Sequence, residues 1–291
     1  MNITTIREAL VWASSFLAEA GSRDPRFEAE LIIRHILDLD RTSFLISLPE
    51  PITNDKVQEL VALCQRRAQH EPIQYMLGKQ EFYGREFMVA PGVLIPRPET
   101  EILIEEVLKS AQQIWSADDQ LEVVDIGTGS GAISLTIASE CPQWKVTTVD
   151  LSTDAISIAK QNAHGLGVTD RVSFLQGDLT EPLLAANQRV DILVSNPPYI
   201  PSTDVDVLDL EVREHEPRLA LDGGEDGLDC YRRICRDLPL ILKSVNLVGF
   251  EVGIHQAQDV EKLLLASGVI QETRIIPDLA GIERVVLGWS K

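Results

Sequence analysis

Hydrophobic positions divide the chain into two regimes. In the first, apolar residues recur at helical spacing: Ile3, Ile6, Leu10, Ala13 and Leu17 share a face, and Thr5 with Glu8 forms a Thr-x-x-Glu capping box. Asp24 followed by Pro25 predicts a second helix, with Phe27, Leu31, Ile32 and Ile36 on one face to about Leu39. A short third helix is expected over 42–48. A fourth, capped by Asn54, turns Val57, Leu60, Val61 and Cys64 inward and ends near His70. Residues 1–75 therefore read as a small helical domain suited to docking a substrate, with nothing in it that resembles catalysis.

The second regime begins with a hairpin linker over 76–94. Gln80, Phe82, Phe87 and Val89 flank Tyr83-Gly84, predicting two short strands with the turn at Gly84-Arg85, closed off by Pro91-Gly92. A rigid, charged loop, Ile95-Pro96-Arg97-Pro98-Glu99-Thr100-Glu101, leads into a helix carrying Ile102, Leu103, Val107 and Leu108. Pro98 and the two acids suit a helix's first turn, and the loop is equally a candidate border for a site. From residue 121, strands at 122–126, 145–149, 172–175, 191–195 and 246–252 alternate with helices at 132–139, 228–242 and 256–266. That alternation predicts a parallel sheet covered on both faces. Two closing strands, 270–276 and 284–288, are expected to pair antiparallel and complete a seven-stranded, Rossmann-like α/β fold.

The candidate chemistry sits at the strand tips. After the first strand, Gly127-Thr128-Gly129-Ser130-Gly131 lets the backbone approach a ligand. Read with Ala132, the same loop also suits a dinucleotide. Asp150, 23 positions after Gly127, can accept both ribose hydroxyls of an adenosine and so serves either cofactor. Asp178 is positioned to meet an adenine amino group with Leu179 against the ring, or simply to cap a turn.

The fourth strand runs into Asn196-Pro197-Pro198-Tyr199, and a proline pair supplies no N–H to continue a ladder. The chain must leave the sheet at Asn196, where ligands bind in open parallel sheets. The Asn196 oxygen and the Pro197 carbonyl can accept both hydrogens of a planar NH2 group, and Tyr199 offers an aromatic face to its plane. Asn-Pro is also a common turn starter, but Tyr199 and the upstream glycine loop weigh against so plain a role. A tip that fixes an acceptor nitrogen offers no geometry for hydride transfer, so methyl transfer from a sulfonium is preferred. Amide nitrogen is a poor nucleophile, and holding it in line is much of what a protein can contribute.

Composition narrows the function further. The 291 residues, 44% of them hydrophobic, suit about two soluble domains. Net charge is -19, split as -3 over residues 1–78 and -16 over the rest, which argues against a broad phosphate-binding surface and a direct nucleic-acid partner. Cys64, Cys141, Cys230 and Cys235 lack C-x-x-C spacing and read as reduced thiols of a cytosolic protein. The five histidines pair with no cysteine at zinc-ligand spacing, so no metal is assigned. Glu8 cancels Arg7 in what would be a positive leader, and no run is long enough to span a bilayer, so cytoplasmic localisation without a membrane partner is expected. The acidic stretch 200–227 reads as a lid or a disordered segment.

Together, Pro-Arg-Pro-Glu-Thr-Glu at 96–101, Asp-Ile-Gly-Thr-Gly-Ser-Gly at 125–131, Asn-Pro-Pro-Tyr at 196–199 and Glu-Pro-Arg-Leu-Ala-Leu at 216–221 resemble the PrmC/HemK family of class I S-adenosylmethionine-dependent methyltransferases. The resemblance covers essentially the whole chain. It implies a class I methyltransferase domain over 95–291 that holds S-adenosylmethionine with Gly127, Thr128, Gly129, Ser130, Gly131, Asp150, Asp178, Leu179 and Asn196. It implies as substrate the glutamine of the Gly-Gly-Gln loop in peptide chain release factors, held by Asn196, Pro197, Pro198 and Tyr199, with the helical domain helping to grip the partner. Methylation there would support translation termination. A ribosomal-protein glutamine methyltransferase is the nearest alternative. An adenine-N6 DNA methyltransferase shares Asn-Pro-Pro-Tyr but needs a basic target-recognition region, whereas the stretch after Tyr199 is short and acidic. A non-catalytic cofactor-binding module is disfavoured by the intact motif.

Overall fold

The computed structural model describes residues 3–291. Five helices come first: α1 (Ile6–Glu19), α2 (Pro25–Leu37), α3 (Arg41–Ser47), α4 (Asn54–Ala68) and α5 (Ile73–Leu77). The Thr5–Glu8 capping box forms in full, and Asp24 caps α2 by accepting from the Phe27 amide at 3.3 Å. Two details depart from the periodicity. The buried face of α2 is Ala29, Ile32, Ile33 and Ile36, which leaves Phe27 exposed, and in α4 Leu63 replaces Val61 inside. The N-cap of α4 is Thr53 without a side-chain bond, so Asn54 is the first helical residue and not the cap. Helix α5 was not foreseen, because a five-residue turn is too short to show a period.

The predicted hairpin forms as β1 (Lys79–Phe82) and β2 (Arg85–Met88). Its turn lies one residue earlier than expected, at Tyr83-Gly84, with φ of 51° and 66°. Both central residues being left-handed marks the type of turn that matches strand twist. The chain continues through α6 (Pro98–Ile114), β3 (Glu122–Ile126), α7 (Ala132–Glu140), β4 (Lys145–Asp150), α8 (Thr153–Gly165), β5 (Val172–Gln176), α9 (Glu181–Ala185) and β6 (Val190–Ser195). Then come α10 (Ser202–Val205), α11 (Leu210–His215), α12 (Asp229–Ile241), β7 (Leu242–Glu251), α13 (Ala257–Ala266), β8 (Glu272–Pro277) and β9 (Glu283–Ser290).

These elements form two compact units: residues 1–78 with 210–215, and residues 79–209 with 216–291. The first has its own core, in which Leu17, Ile32, Ile33, Phe44 and Leu60 are fully buried. Arg67 closes it by bonding Glu28 at 2.9 Å and Glu211 on α11 at 2.8 Å.

The second unit is built on a seven-stranded sheet in the order β5-β4-β3-β6-β7-β9-β8. Its first five strands run parallel, while β9 pairs antiparallel with both β7 and β8. Side chains alternate across a strand. On β6, Ile192 and Val194 enter the core beneath α6 and α7 and Leu193 the one beneath α12 and α13, which Val190 joins because the register shifts between Val190 and Ile192. Such two-sided burial explains why the centre of β6, Ile192-Leu193-Val194, reads as an unbroken apolar run. The architecture is the seven-stranded α/β fold with a helical N-terminal region that the pattern predicted.

Candidate active site

From β3 the chain winds outward through β4 and β5, then returns to the other side of β3 as β6. That reversal opens a crevice at the carboxyl ends of the strands. Ile126 and Ser195, the last residues of β3 and β6, lie side by side in register, and the Ser195 hydroxyl donates to the Ile126 carbonyl at 2.5 Å. The glycine turn and Asn196 therefore leave the sheet together.

The glycine turn is held from beneath. The Gly129 amide donates to Asp150 Oδ2 at 2.9 Å and the Ser152 amide to Oδ1 at 2.8 Å. Burial pushes the Asp150 carboxyl above its ordinary value, opposed by these backbone donors. Thr128 and Thr148 hydroxyls meet at 2.6 Å, and Thr148 donates to the fully buried Asp125 at 3.3 Å. Desolvation raises Asp125 to about 7. At the start of α7, Gly131 has a φ of 85°, and a Cβ there would stand 2.7 Å from Leu135 Cδ1.

A cavity of about 640 Å³ fills the crevice, within the range of small-molecule sites. Gly127, Thr128, Gly129, Ser130, Asp150, Asp178, Leu179, Asn196 and Pro198 all line it. Gly131, Pro197 and Tyr199 do not: Gly131 starts the helix, Pro197 is a buried residue of the loop, and Tyr199 packs on the core beneath α12 and α13. Asp178 is ion-paired with Arg233 at 2.7 Å, a partner that sequence reading did not supply. Leu179 holds a φ of 51°, a left-handed backbone that costs a branched residue energy and concentrates at ligand sites.

Beside Asn196 lies a polar chain running inward. Asn196 Nδ2 donates to Thr100 Oγ1 at 3.3 Å, and Thr100 Oγ1 donates to Glu251 Oε2 at 2.5 Å. The Tyr199 hydroxyl donates to Glu251 Oε1 at 3.5 Å, and the Tyr231 hydroxyl to the Glu251 carbonyl at 2.6 Å. Glu251 is 2% exposed, and desolvation lifts its carboxyl to about 7. The same burial, with the Glu251 charge, raises the Tyr199 phenol.

Thr100 and Glu251 were missed as site residues, and the signal for Glu251 existed. It ends an apolar strand as Asp150 does, and Ser195 pairs with Phe250, which sets Glu251 level with Asn196. The loop 96–101 does border the cavity, through Pro96, Arg97 and Thr100. Arg97 pairs with the buried Glu216 at 2.5 Å, so two of the sequence motifs meet in one ion pair. The stretch 200–227 is not disordered. The Ile200 amide bonds the Leu221 carbonyl at 3.0 Å, the Gly223 amide returns to Ile200 at 2.9 Å, and Arg218 bridges Asp206 and Asp222. Arg218 pairs inside the segment while Glu216 reaches Arg97 and Glu211 reaches Arg67 outside it, and composition shows none of these partners, which is why it suggests disorder there.

Residues 8–78 match the PrmC N-terminal domain family, and residues 99–223 match the methyltransferase small domain family. The release factor glutamine methyltransferase of Bacillus cereus is 44% identical over 97% of this chain and 98% of its own length. That of Bacillus subtilis is 43% identical over 97% and 96%. Among solved structures, the hMettl16 catalytic domain in complex with MAT2A 3'UTR hairpin 6 shares the fold, with a TM-score of 0.54 at 15% identity over 79% of this chain and 91% of that one. The cofactor is S-adenosylmethionine. The cavity fits it: left-handed glycines bring main chain to the wall, and the Asp150 carboxylate sits at the strand tip. With two family matches in sequence and full-length relatives above 40% identity, the chain belongs to the release factor glutamine methyltransferase family.

Proposed function

We propose that this protein transfers a methyl group from S-adenosylmethionine to the side-chain amide nitrogen of the glutamine in the Gly-Gly-Gln loop of peptide chain release factors, supporting translation termination. Family membership supplies the reaction class and the partner. The observation that carries the chemistry is Asn196 on the cavity wall, one residue past the end of β6, with its Nδ2 engaged by Thr100. Its Oδ1 is then the acceptor left for a substrate N–H.

When bound, S-adenosylmethionine supplies a methyl group activated by the sulfonium. Asn196 Oδ1 and the Pro197 carbonyl accept the two N–H groups of the glutamine amide, and the rigid Pro197-Pro198 pair fixes the distance between those acceptors. Tyr199, packed on the core beneath α12 and α13 with its hydroxyl toward Glu251, braces the loop that bears Asn196. Positive charge on the methylated nitrogen would be stabilised by the two acceptor oxygens of this chain until one N–H proton passes to water. Gly127, Thr128, Gly129, Ser130, Asp150, Asp178 and Leu179 hold the nucleoside end. The net charge of -16 beyond residue 78 favours a protein over a nucleic-acid substrate. This reading places the protein in the cytoplasm. Among the described residues no helix is long and apolar enough to cross a membrane.

The test is transfer of labelled methyl to purified release factors, with a Gln→Ala change in the Gly-Gly-Gln loop as control. Label should enter the native factor only. Asn196→Ala should lower transfer at least about a hundredfold while cofactor affinity stays within a few fold. Normal turnover by that variant, or equal labelling of the control factor, overturns the reading.

A further inference from the structure

We infer that Thr100 and Glu251 are positioning residues that set which end of the Asn196 amide faces the substrate. The inference rests on Asn196 being the acceptor proposed above.

A threonine hydroxyl has one proton to donate. Here that proton goes to Glu251 Oε2 at 2.5 Å, a contact in which both residues are buried at 4% and 2% exposure. What Thr100 then presents to Asn196 is a lone pair. A lone pair can be met only by the amide's NH2 end, so Nδ2 is drawn to Thr100 at 3.3 Å and Oδ1 is turned away from it. A carboxylate, a hydroxyl and a carboxamide thus form a one-way relay. The amide of an isolated asparagine could present either end to a ligand at similar energy. The wrong end would offer donors to a substrate amide that itself needs acceptors.

The relay has a built-in dependence on charge. With Glu251 ionised, Thr100 must donate inward. A proton on Oε2 reverses the first bond and frees the Thr100 hydroxyl to donate to Asn196 Oδ1, which turns NH2 toward the substrate. The groups facing Glu251 are Arg284 on β9, Glu99 and Thr100 on α6, Tyr199 on the loop after β6, and Tyr231 on α12. Burial pushes its carboxyl up, Glu99 adds to that, and Arg284, Thr100 and Tyr199 oppose it. The balance falls at about 7, so the reversal occurs at a pH where activity is measurable.

Thr100→Val keeps the shape and removes the hydroxyl, and Thr100→Ser keeps the hydroxyl. Each should be compared with Asn196→Ala and with the Thr100→Val/Asn196→Ala double variant, using kcat on a purified release factor and calorimetric Kd for S-adenosylhomocysteine. Expected results are a ten- to hundredfold lower kcat for Thr100→Val, a Kd within about threefold, and recovery to within a few fold in Thr100→Ser. In the Asn196→Ala background Thr100→Val should cost nothing further, because there is no amide left to orient. In Glu251→Gln the acid limb of the kcat profile near pH 7 should disappear, since neither amide rotamer titrates. Additive losses in the double variant, loss of cofactor binding in Thr100→Val, or an unchanged acid limb in Glu251→Gln would overturn the assignment. Normal turnover in Asn196→Ala alone would instead remove the acceptor role on which it rests.

Discussion

The Gly129 amide donates to Asp150 Oδ2 at 2.9 Å, tying the tip of β4 to the glycine turn that follows β3. A second amide, Ser152, donates to the other carboxylate oxygen at 2.8 Å, and Asp150 lines the cavity. Asp150 therefore holds the loop, and the expected role of its carboxylate in accepting ribose hydroxyls can be tested. Charge-assisted hydrogen bonds contribute about 1.5–3 kcal/mol each. Asp150→Ala should weaken S-adenosylhomocysteine binding by roughly a hundredfold, measured by calorimetry, while the protein still unfolds cooperatively. A Kd within threefold of the parent would take Asp150 out of the cofactor site.

Two buried carboxyls give stability a direction with pH. Asp125 is raised from 3.8, and Glu251 from 4.5, to about 7 each, in both cases chiefly by desolvation. Between the ordinary and the raised value the folded state binds the proton and the unfolded chain does not, so the slope of unfolding free energy with pH is negative. This contribution is full below pH 4 and is lost as pH rises through about 7. Thermal unfolding followed from pH 5 to 8 should show the midpoint of the parent falling relative to that of Asp125→Asn, and relative to that of Glu251→Gln. Parallel curves would mean that neither acid holds its proton in the folded chain.

Most of what is legible in the sequence depends on strand tips, although Glu251 at the tip of β7 escapes such a reading. Gly127, Asp150, Asp178 and Asn196 each follow an apolar run, and the fold brings all four to one cavity. Partners coming from elsewhere in the chain were not legible, because spacing says nothing about which distant element packs alongside. Thr100 meets Glu251 across 151 residues, and Arg97 meets Glu216 across 119. Tyr199 was read as facing the site because an aromatic follows the prolines. Its ring lies against the core instead, and its hydroxyl reaches Glu251 at 3.5 Å.

Arg67 shows the same limit in the first unit, where its bonds to Glu28 and to Glu211 are separated by 39 and 144 residues. With Arg67 and Glu28 only 11% and 13% exposed, removing one partner leaves a nearly buried charge unmatched, which costs about 3–5 kcal/mol. Arg67→Met should lower the unfolding free energy of residues 1–78 by about that amount. Amide exchange in 210–215 should speed up at the same time. Adding Glu28→Met should restore part of the loss, and a loss unaltered by the second change would argue that the pairing is not its cause.

The Tyr199 carbonyl is held by Gln256 Nε2 at 2.9 Å, and Gly227 passes beneath it with a φ of 76°. A Cβ on Gly227 would stand 2.1 Å from that carbonyl oxygen and 2.5 Å from Gln256 Nε2, so the end of the Asn-Pro-Pro-Tyr loop must move. Gly227 does not line the cavity, and the cofactor walls are left in place. Gly227→Ala should therefore reduce turnover at least about tenfold, since displacements near 1 Å at a reacting group cost up to a hundredfold, with cofactor Kd nearly unchanged. The control is Gly268→Ala. Gly268 has the same φ of 76° but nothing within 4 Å of an added Cβ, so it carries the backbone strain of about 1 kcal/mol without the clash. If both variants lose activity equally, global destabilisation explains the effect; loss confined to Gly227→Ala assigns it to the position of the loop that bears Asn196.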